Sequence, residues 1–448
     1  MSQDQTLNDA GGFDEHGAAP AYDEQAGAQA MPVLDYANIG KRGTIQRIAR
    51  FMLCASIFLA GWSLLRVGPI NLTLSDVLLM FVLVVMLFRT QLNTRPFSAM
   101  TVFWFIGLAL MLGGLLLSTV VNGVVERWVI VAGQYLFAFL LIPMILMGQE
   151  TTLTRRLPAL FVLGITVSQL IGVSASLLFE PADTLALMGK GFLTGNGRVG
   201  AMTGEPNSNG AMIAYALPML FYCIQKRTIP LGIGLICGAM LVWGLLASGS
   251  FTGFAASVIA VSVFLVVSGL GLFLRFAVVA VVGAGLFVAS GLPLPETFED
   301  RVAGAISTGD LSQAGTFTDR SKLIEEAWQK ADDHVFIGQG VDQYRVESFY
   351  GAPVHELHLL IWNEGGAIAF VGLLMLLLIL IGGALSAITK SRMEGAMILA
   401  VVAVFMVYSF SIPHMYSRQW ILPVLLAIST FFALQPAHLK APKMWYRS

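Results

Sequence analysis

Charged side chains make up only 12% of this 448-residue chain, about half of the roughly 25% that an ordinary soluble domain carries. Too few polar groups remain to cover a globular surface. That excludes a soluble enzyme, a nucleic-acid binder with a basic face, and a disordered scaffold. Cysteine is nearly absent, and Cys54, Cys223 and Cys237 all lie inside apolar runs, which argues against a disulfide framework. The first forty residues lack Lys and Arg altogether. They hold seven acids: Asp4, Asp9, Asp14, Glu15, Asp23, Glu24 and Asp35. No basic segment leads into an apolar run there, so a signal peptide is not expected. Rich in Ala, Gly, Gln and Asp and without apolar periodicity, residues 1–45 read as a disordered acidic tail.

What is present in abundance is apolar surface: 56% of the residues, with a mean hydropathy of +0.76. A membrane span needs roughly 20 mostly apolar residues. Twelve windows qualify: 48–65, 72–88, 99–118, 128–147, 157–178, 209–224, 229–247, 251–269, 272–292, 359–386, 394–412 and 419–435. The expected fold is an all-α integral membrane protein of about twelve transmembrane helices. Nine lie in 46–292, a loop follows at 293–354, three lie in 355–435, and 436–448 is a short tail. Cationic residues in the flanks orient the chain. With the N-terminus in the cytoplasm, sixteen Lys and Arg fall inside and only Arg66, Arg127 and Arg418 in the short outer loops. Both termini are then cytoplasmic, and the gaps 179–208 and 293–354 face the periplasm.

The 62-residue outer loop is partly patterned. From Asp319 onward Leu323, Ala327, Trp328 and Ala331 share one helical face, with Thr318 as a plausible N-cap and Gly338 and Gly340 as stops. No internal repeat is visible. A loop of this length between spans is usually functional or disordered, and the Trp-bearing helix favours function.

Four groups of residues could carry chemistry. Arg198 precedes Glu205-Pro206-Asn207-Ser208-Asn209-Gly210, where a span begins. Asn207 or Ser208 is expected to cap that helix. Its free N–H groups and the Arg198 fork would hold an anion, unless Arg198 merely snorkels to headgroups. His355-Glu356-Leu357-His358 opens the tenth span, where a base near neutral pH would be useful. The two histidines stand three apart, not the four of a zinc-protease motif, and no third ligand is evident, so no metal is expected. Arg301 and Arg320 lie in an outer loop with eleven acids against five cations. Arg320 sits unfavourably at a helix start, which hints at a ligand. Glu364, inside an apolar run, needs a polar partner. Ser248-Gly249-Ser250-Phe251-Thr252-Gly253 reads as a tight structural turn.

Together these segments resemble the O-antigen ligase and Wzy-type polysaccharide polymerase superfamily. The similarity covers 48–435 in layout. Leu72-Thr-Leu-Ser75-Asp76 opens the second span as in many members. Arg198-x-Gly200 with Glu205-Pro-Asn207 resembles Arg-x-x-Gly…Asp-Pro-Asn, and Ser250-Phe-Thr-Gly resembles a Ser-Arg-Gly turn. Arg320, Trp328, His334 and Gly338-x-Gly340 resemble Arg…Trp…His-Pro-x-x-Gly-x-Gly. His355-Glu-x-x-Leu359 with Glu364 and Gly366 resembles His-Asn-x-x-Leu…Glu-x-Gly. Two departures stand out. Glu356 replaces the Asn beside the histidine, and Phe251 replaces the turn arginine, for which Arg301 is the candidate substitute.

The resemblance implies a GT-C-like fold and a cofactor-free, metal-independent inverting glycosyltransferase of the bacterial inner membrane. The donor would be an oligosaccharide on undecaprenyl diphosphate. Arg198, Arg320 and Arg301 would bind the diphosphate. His355, with Glu356, would be the base, and Glu205, Asn207, Ser250, His358 and Glu364 would support them. A flippase and a chain-length regulator of the same pathway are implied partners; nucleic acid is not. Polymerase is favoured over ligase, because an acidic loop suits an anionic lipid A–core poorly. A secondary transporter also has many spans, but neither matched halves nor a major-facilitator loop pattern is present.

Overall fold

Apolar runs broken by Gly, Pro and short polar loops leave the backbone one way to satisfy its hydrogen bonds in lipid, the helix. The computed structural model describes residues 36–67, 72–291, 293–309 and 317–433. A helix occupies each of the twelve apolar windows: α1 (Tyr36–Phe58), α2 (Leu74–Phe88), α3 (Thr101–Asn122), α4 (Val125–Leu146), α5 (Leu157–Leu178), α6 (Pro206–Gln225), α7 (Leu231–Ser248), α8 (Phe251–Ser268), α9 (Leu270–Ser290), α11 (Leu357–Lys390), α12 (Arg392–Ser409) and α13 (Arg418–Ala433). The outer-loop helix α10 is Phe317–Ala331. Among the described residues, eight helices are long and apolar enough to cross a membrane. The described residues are thus mainly helical, and the apolar helices make the chain a multi-pass membrane protein.

Several expectations are corrected. α1 begins at Tyr36, so residues 36–45 are helical rather than part of a disordered tail. The rest of that tail, like 434–448, lies outside the described residues. The same helix ends at Phe58, and a strand pair follows: β1 (Arg66–Val67) runs antiparallel to β2 (Leu72–Thr73), with Arg66 opposite Thr73. Thr318 lies within α10, in its first turn, and not ahead of it. On α10, Leu323, Ala327 and Ala331 pack with Tyr344, Val354 and Leu360, while Trp328 is 59% exposed. One step along the helix turns a side chain by about 100°, which carries Trp328 off the inner face beside Ala327.

Small residues bring the helices together, as expected where lipid offers no hydrophobic drive for association. A Cβ on Gly372 of α11 would collide with Met111 of α3. α4 carries one π turn, Phe137–Leu141, and the Phe139 carbonyl accepts the Trp104 indole N–H at 2.7 Å. α11 is broken at Gly366, whose φ of 67° and ψ of −171° are not helical. The break lets the stretch after α10 lie against it. The Gln339 and Gly340 amides donate to the Asn363 and Glu364 carbonyls at 2.8 and 3.0 Å, and the Ala367 amide to Val335 at 2.9 Å. A side chain at Gly366 would strike the Phe336 carbonyl, so both the fold-back and the backbone angle require glycine there.

Candidate functional site

The segment before α6 is folded onto the helix ends. Leu193 bridges Val199, and the Val199 amide donates to the Ala247 carbonyl at 3.0 Å. This holds Arg198 against the end of α7. Its Nε donates to Ser248 O at 2.8 Å and its Nη2 to Asn207 Oδ1 at 2.8 Å. Asn207 Oδ1 also accepts from Ser250 Oγ at 3.2 Å, and its carbonyl accepts from Tyr408 at 3.1 Å. The cap of α6 is Glu205, not Asn207 or Ser208. With Pro206 in the first turn, the Glu205 carboxylate takes the Asn207 and Ser208 amides at 2.9 and 2.5 Å. Below it Asn209 and Gln169 exchange amide hydrogen bonds in the core.

Arg301 arrives from the loop after α9. Its Nε donates to the carbonyl of Gly249, in the turn between α7 and α8, at 3.3 Å. Arg320 comes from the first turns of α10. The three guanidinium groups feel one another. Burial, then Arg301, with Arg320 adding to them, brings Arg198 down to about 10, against the pull of Glu205. Burial and Arg320 also lower Arg301. His355, in the stretch leading into α11, is held below the ordinary histidine value by burial and by Arg320, with Glu205 opposing. Hydrogen bonds thus join Arg198, Asn207 and Ser250 and bring Arg301 to the same turn, while Arg320 and His355 lie within electrostatic reach of them. No hydrogen bond to the His355 ring is made among the described residues.

The other sequence-expected residues fall elsewhere. Glu356 is the N-cap of α11: it accepts from the His358 and Leu359 amides at 3.2 and 2.7 Å, and its carboxylate lies 2.6 Å from His358 Nδ1. The His358 ring also faces Phe410, with centroids 4.8 Å apart. Glu364 is buried in a different cluster. It accepts from the Asp342 amide at 3.0 Å and lies 3.6 Å from His414 Nε2, while His414 Nδ1 meets the Tyr135 hydroxyl at 3.3 Å. Asp342 itself pairs with Arg127 and Arg345, and the Arg345 hydrogen bond keeps its carboxyl below the usual range.

Sequence reasoning missed Tyr408, Gln169, Asp342 and His414. Gln169 and His414 carried a usable signal, a polar side chain within or beside an apolar run. Tyr408 carried none. Among the described residues, no group of three or more His, Cys, Asp or Glu side chains could hold a metal ion. Compared with known proteins, the chain matches no family model and no curated sequence.

Proposed function

We propose that the protein polymerises oligosaccharide repeat units carried on undecaprenyl diphosphate, at the periplasmic face of a bacterial inner membrane. In this reading all twelve apolar helices span the bilayer in a GT-C-like arrangement, and both termini are cytoplasmic. What supports the reading is that Arg198, Arg301 and Arg320 act on one another electrostatically and that Arg320 also acts on His355, whose ring makes no hydrogen bond among the described residues. Three cations gathered at one point repel one another, a cost that an anionic ligand removes.

The chemistry follows from these groups. An acceptor hydroxyl attacks the anomeric carbon of the donor sugar and inverts it. Its oxygen forms the new glycosidic bond while the bond from that carbon to the phosphate oxygen breaks. The electron pair leaves on the lipid diphosphate, where the arginines neutralise the growing charge. The hydroxyl proton goes to His355. Glu356 positions the start of α11, and with it the adjoining His355. The bilayer holds both lipid anchors in a plane, which raises encounter and limits orientation.

A gel of surface polysaccharide from a deletion strain tests the reading. Loss of long polymer with single repeats retained is the expected pattern. Accumulation of free lipid-linked polymer would instead indicate a ligase, and unchanged polysaccharide would defeat both.

A further inference from the structure

Glu364 and His414 take no part in the chemistry above. Glu364, near the start of α11, is 1% exposed. Its Oε1 accepts from the Asp342 amide at 3.0 Å. Its Oε2 is buried and makes no hydrogen bond among the described residues. That oxygen lies 3.6 Å from His414 Nε2, beyond hydrogen-bond length. His414 belongs to the stretch between α12 and α13. Its ring packs on Tyr135 and Tyr416, with centroids 6.4 and 4.9 Å away, and its Nδ1 meets the Tyr135 hydroxyl at 3.3 Å. An ionised carboxylate oxygen without a donor is costly to bury. A separation of 3.6 Å leaves no room for a further heavy atom between Oε2 and Nε2. It suits a proton, which either atom can carry and which makes the pair neutral overall.

The neighbouring charges do not replace that proton. Arg127 of α4 and Arg345 both pair with Asp342, at 3.1 and 2.8 Å, and neither forms an ion pair with Glu364 among the described residues. Tyr135 of α4 and Tyr416 are the other titratable groups that face the pair, and Arg418 acts on Tyr416 from α13. A second proton is resisted, because burial brings His414 down to about 4, with Asp342 opposing.

Glu364 is also a docking point for the stretch after α10. The Gly338 and Val341 amides of that stretch donate to Ser118 Oγ and Thr119 Oγ1 of α3 at 2.8 and 3.1 Å. Asn122 Nδ2 donates to Gly338 O at 2.9 Å. Asp342 closes the stretch with a φ of 66°, which a residue with a Cβ rarely adopts. Its amide on Glu364 and its carboxylate on the two arginines hold it there.

We infer that Glu364 and His414 bind one shared proton, which keeps residues 338–342 docked on α11 and makes that docking respond to pH at the membrane face where the loop lies. The inference is independent of the transferase reading, since it concerns the chain without substrate.

The sign follows from counting protons. The docked pair holds one. Once the stretch lifts and water reaches the pair, a free histidine gives up its proton above about pH 6.5 and a free carboxylate above about 4.3. Above about pH 6.5 opening therefore releases a proton, and the docking constant should fall by up to about tenfold per pH unit as pH rises.

Hydrogen exchange on the purified full chain in nanodiscs, corrected for the intrinsic pH dependence of amide exchange, reads the opening of 338–342. Wild-type protection should decline with that slope. Glu364→Gln has the shape of the protonated side chain but cannot titrate, so its protection should be flat over the same range. Arg127→Gln weakens docking without touching the proton, so protection should drop at every pH and keep the slope. His414→Phe is an independent second test. Without the histidine the opened state loses its proton at the carboxylate value, and the onset should move from about pH 6.5 to about 4.3. A flat wild-type profile, a wild-type slope in Glu364→Gln, or an onset unmoved in His414→Phe overturns the proposal.

Discussion

Arg301 Nε donates to the carbonyl of Gly249 at 3.3 Å, so a residue of the long outer loop stands at the turn between α7 and α8. That turn has Phe251 where the resembled pattern has arginine. The cation at this turn belongs to Arg301, 52 positions beyond Gly249. Arg301 thus brings a cation to a turn that carries none of its own.

Arginine substitutions should therefore act alike across the three segments. Arg198→Ala, Arg301→Ala and Arg320→Ala should each cut polymer formation strongly in liposomes at equal protein level. Arg198→Lys should lose much of the activity too, because an ammonium cannot reproduce a two-pronged grip. Full-length polymer from both Arg198→Ala and Arg320→Ala would remove the diphosphate assignment.

His355→Ala should lower the rate by about 10²–10⁴-fold, the usual contribution of a general base, with the protein still folded. The pH profile carries a sign. Only the neutral ring accepts a proton, and His355 is held below the ordinary value of about 6.5. Activity should therefore persist to a lower pH than for an exposed histidine and fall once the ring is protonated. Arg320→Ala removes one cause of the depression, so the acid limb of its residual activity should move to higher pH. A limb that stays in place would argue against His355 as the titrating group.

Glu356 should behave as a cap. Glu356→Ala should cost about 1 kcal/mol of stability, read as a lower melting temperature, and Glu356→Gln less. A rate loss in Glu356→Gln as large as in His355→Ala would make the two residues a joint base.

Asp76→Asn should be among the most damaging single changes. It leaves Arg418, 6% exposed, without its carboxylate. Breaking one partner of a buried pair costs about 3–5 kcal/mol. The double variant Asp76→Asn/Arg418→Gln should recover part of the loss, and a melting series on detergent-solubilised protein decides it.

Topology is testable at Ser307, which is exposed in the outer loop. With Cys54, Cys223 and Cys237 replaced, Ser307→Cys should react with an impermeant thiol reagent in intact spheroplasts. Labelling only after lysis would reverse the orientation and move the arginine site to the cytoplasmic face.

Hydropathy alone located helices in the apolar windows, eight of them among the described residues long and apolar enough to cross a membrane, because each apolar run has to form its hydrogen bonds within itself. Arg198, Arg301, Arg320 and His355 could be singled out in the sequence as polar residues beside the spans. Tertiary structure decided how they are used. Whether Glu205 or Asn207 caps α6 depended on which carboxylate or amide could reach the free amides once Pro206 set the first turn. Glu364 could be read as needing a partner, but its partners, Asp342 and His414, come from segments 22 and 50 residues away and meet it because Gly366 breaks α11. Asp76 and Arg418 lie 342 positions apart. No local pattern encodes such a pairing; it exists because helices at opposite ends of the chain pack side by side.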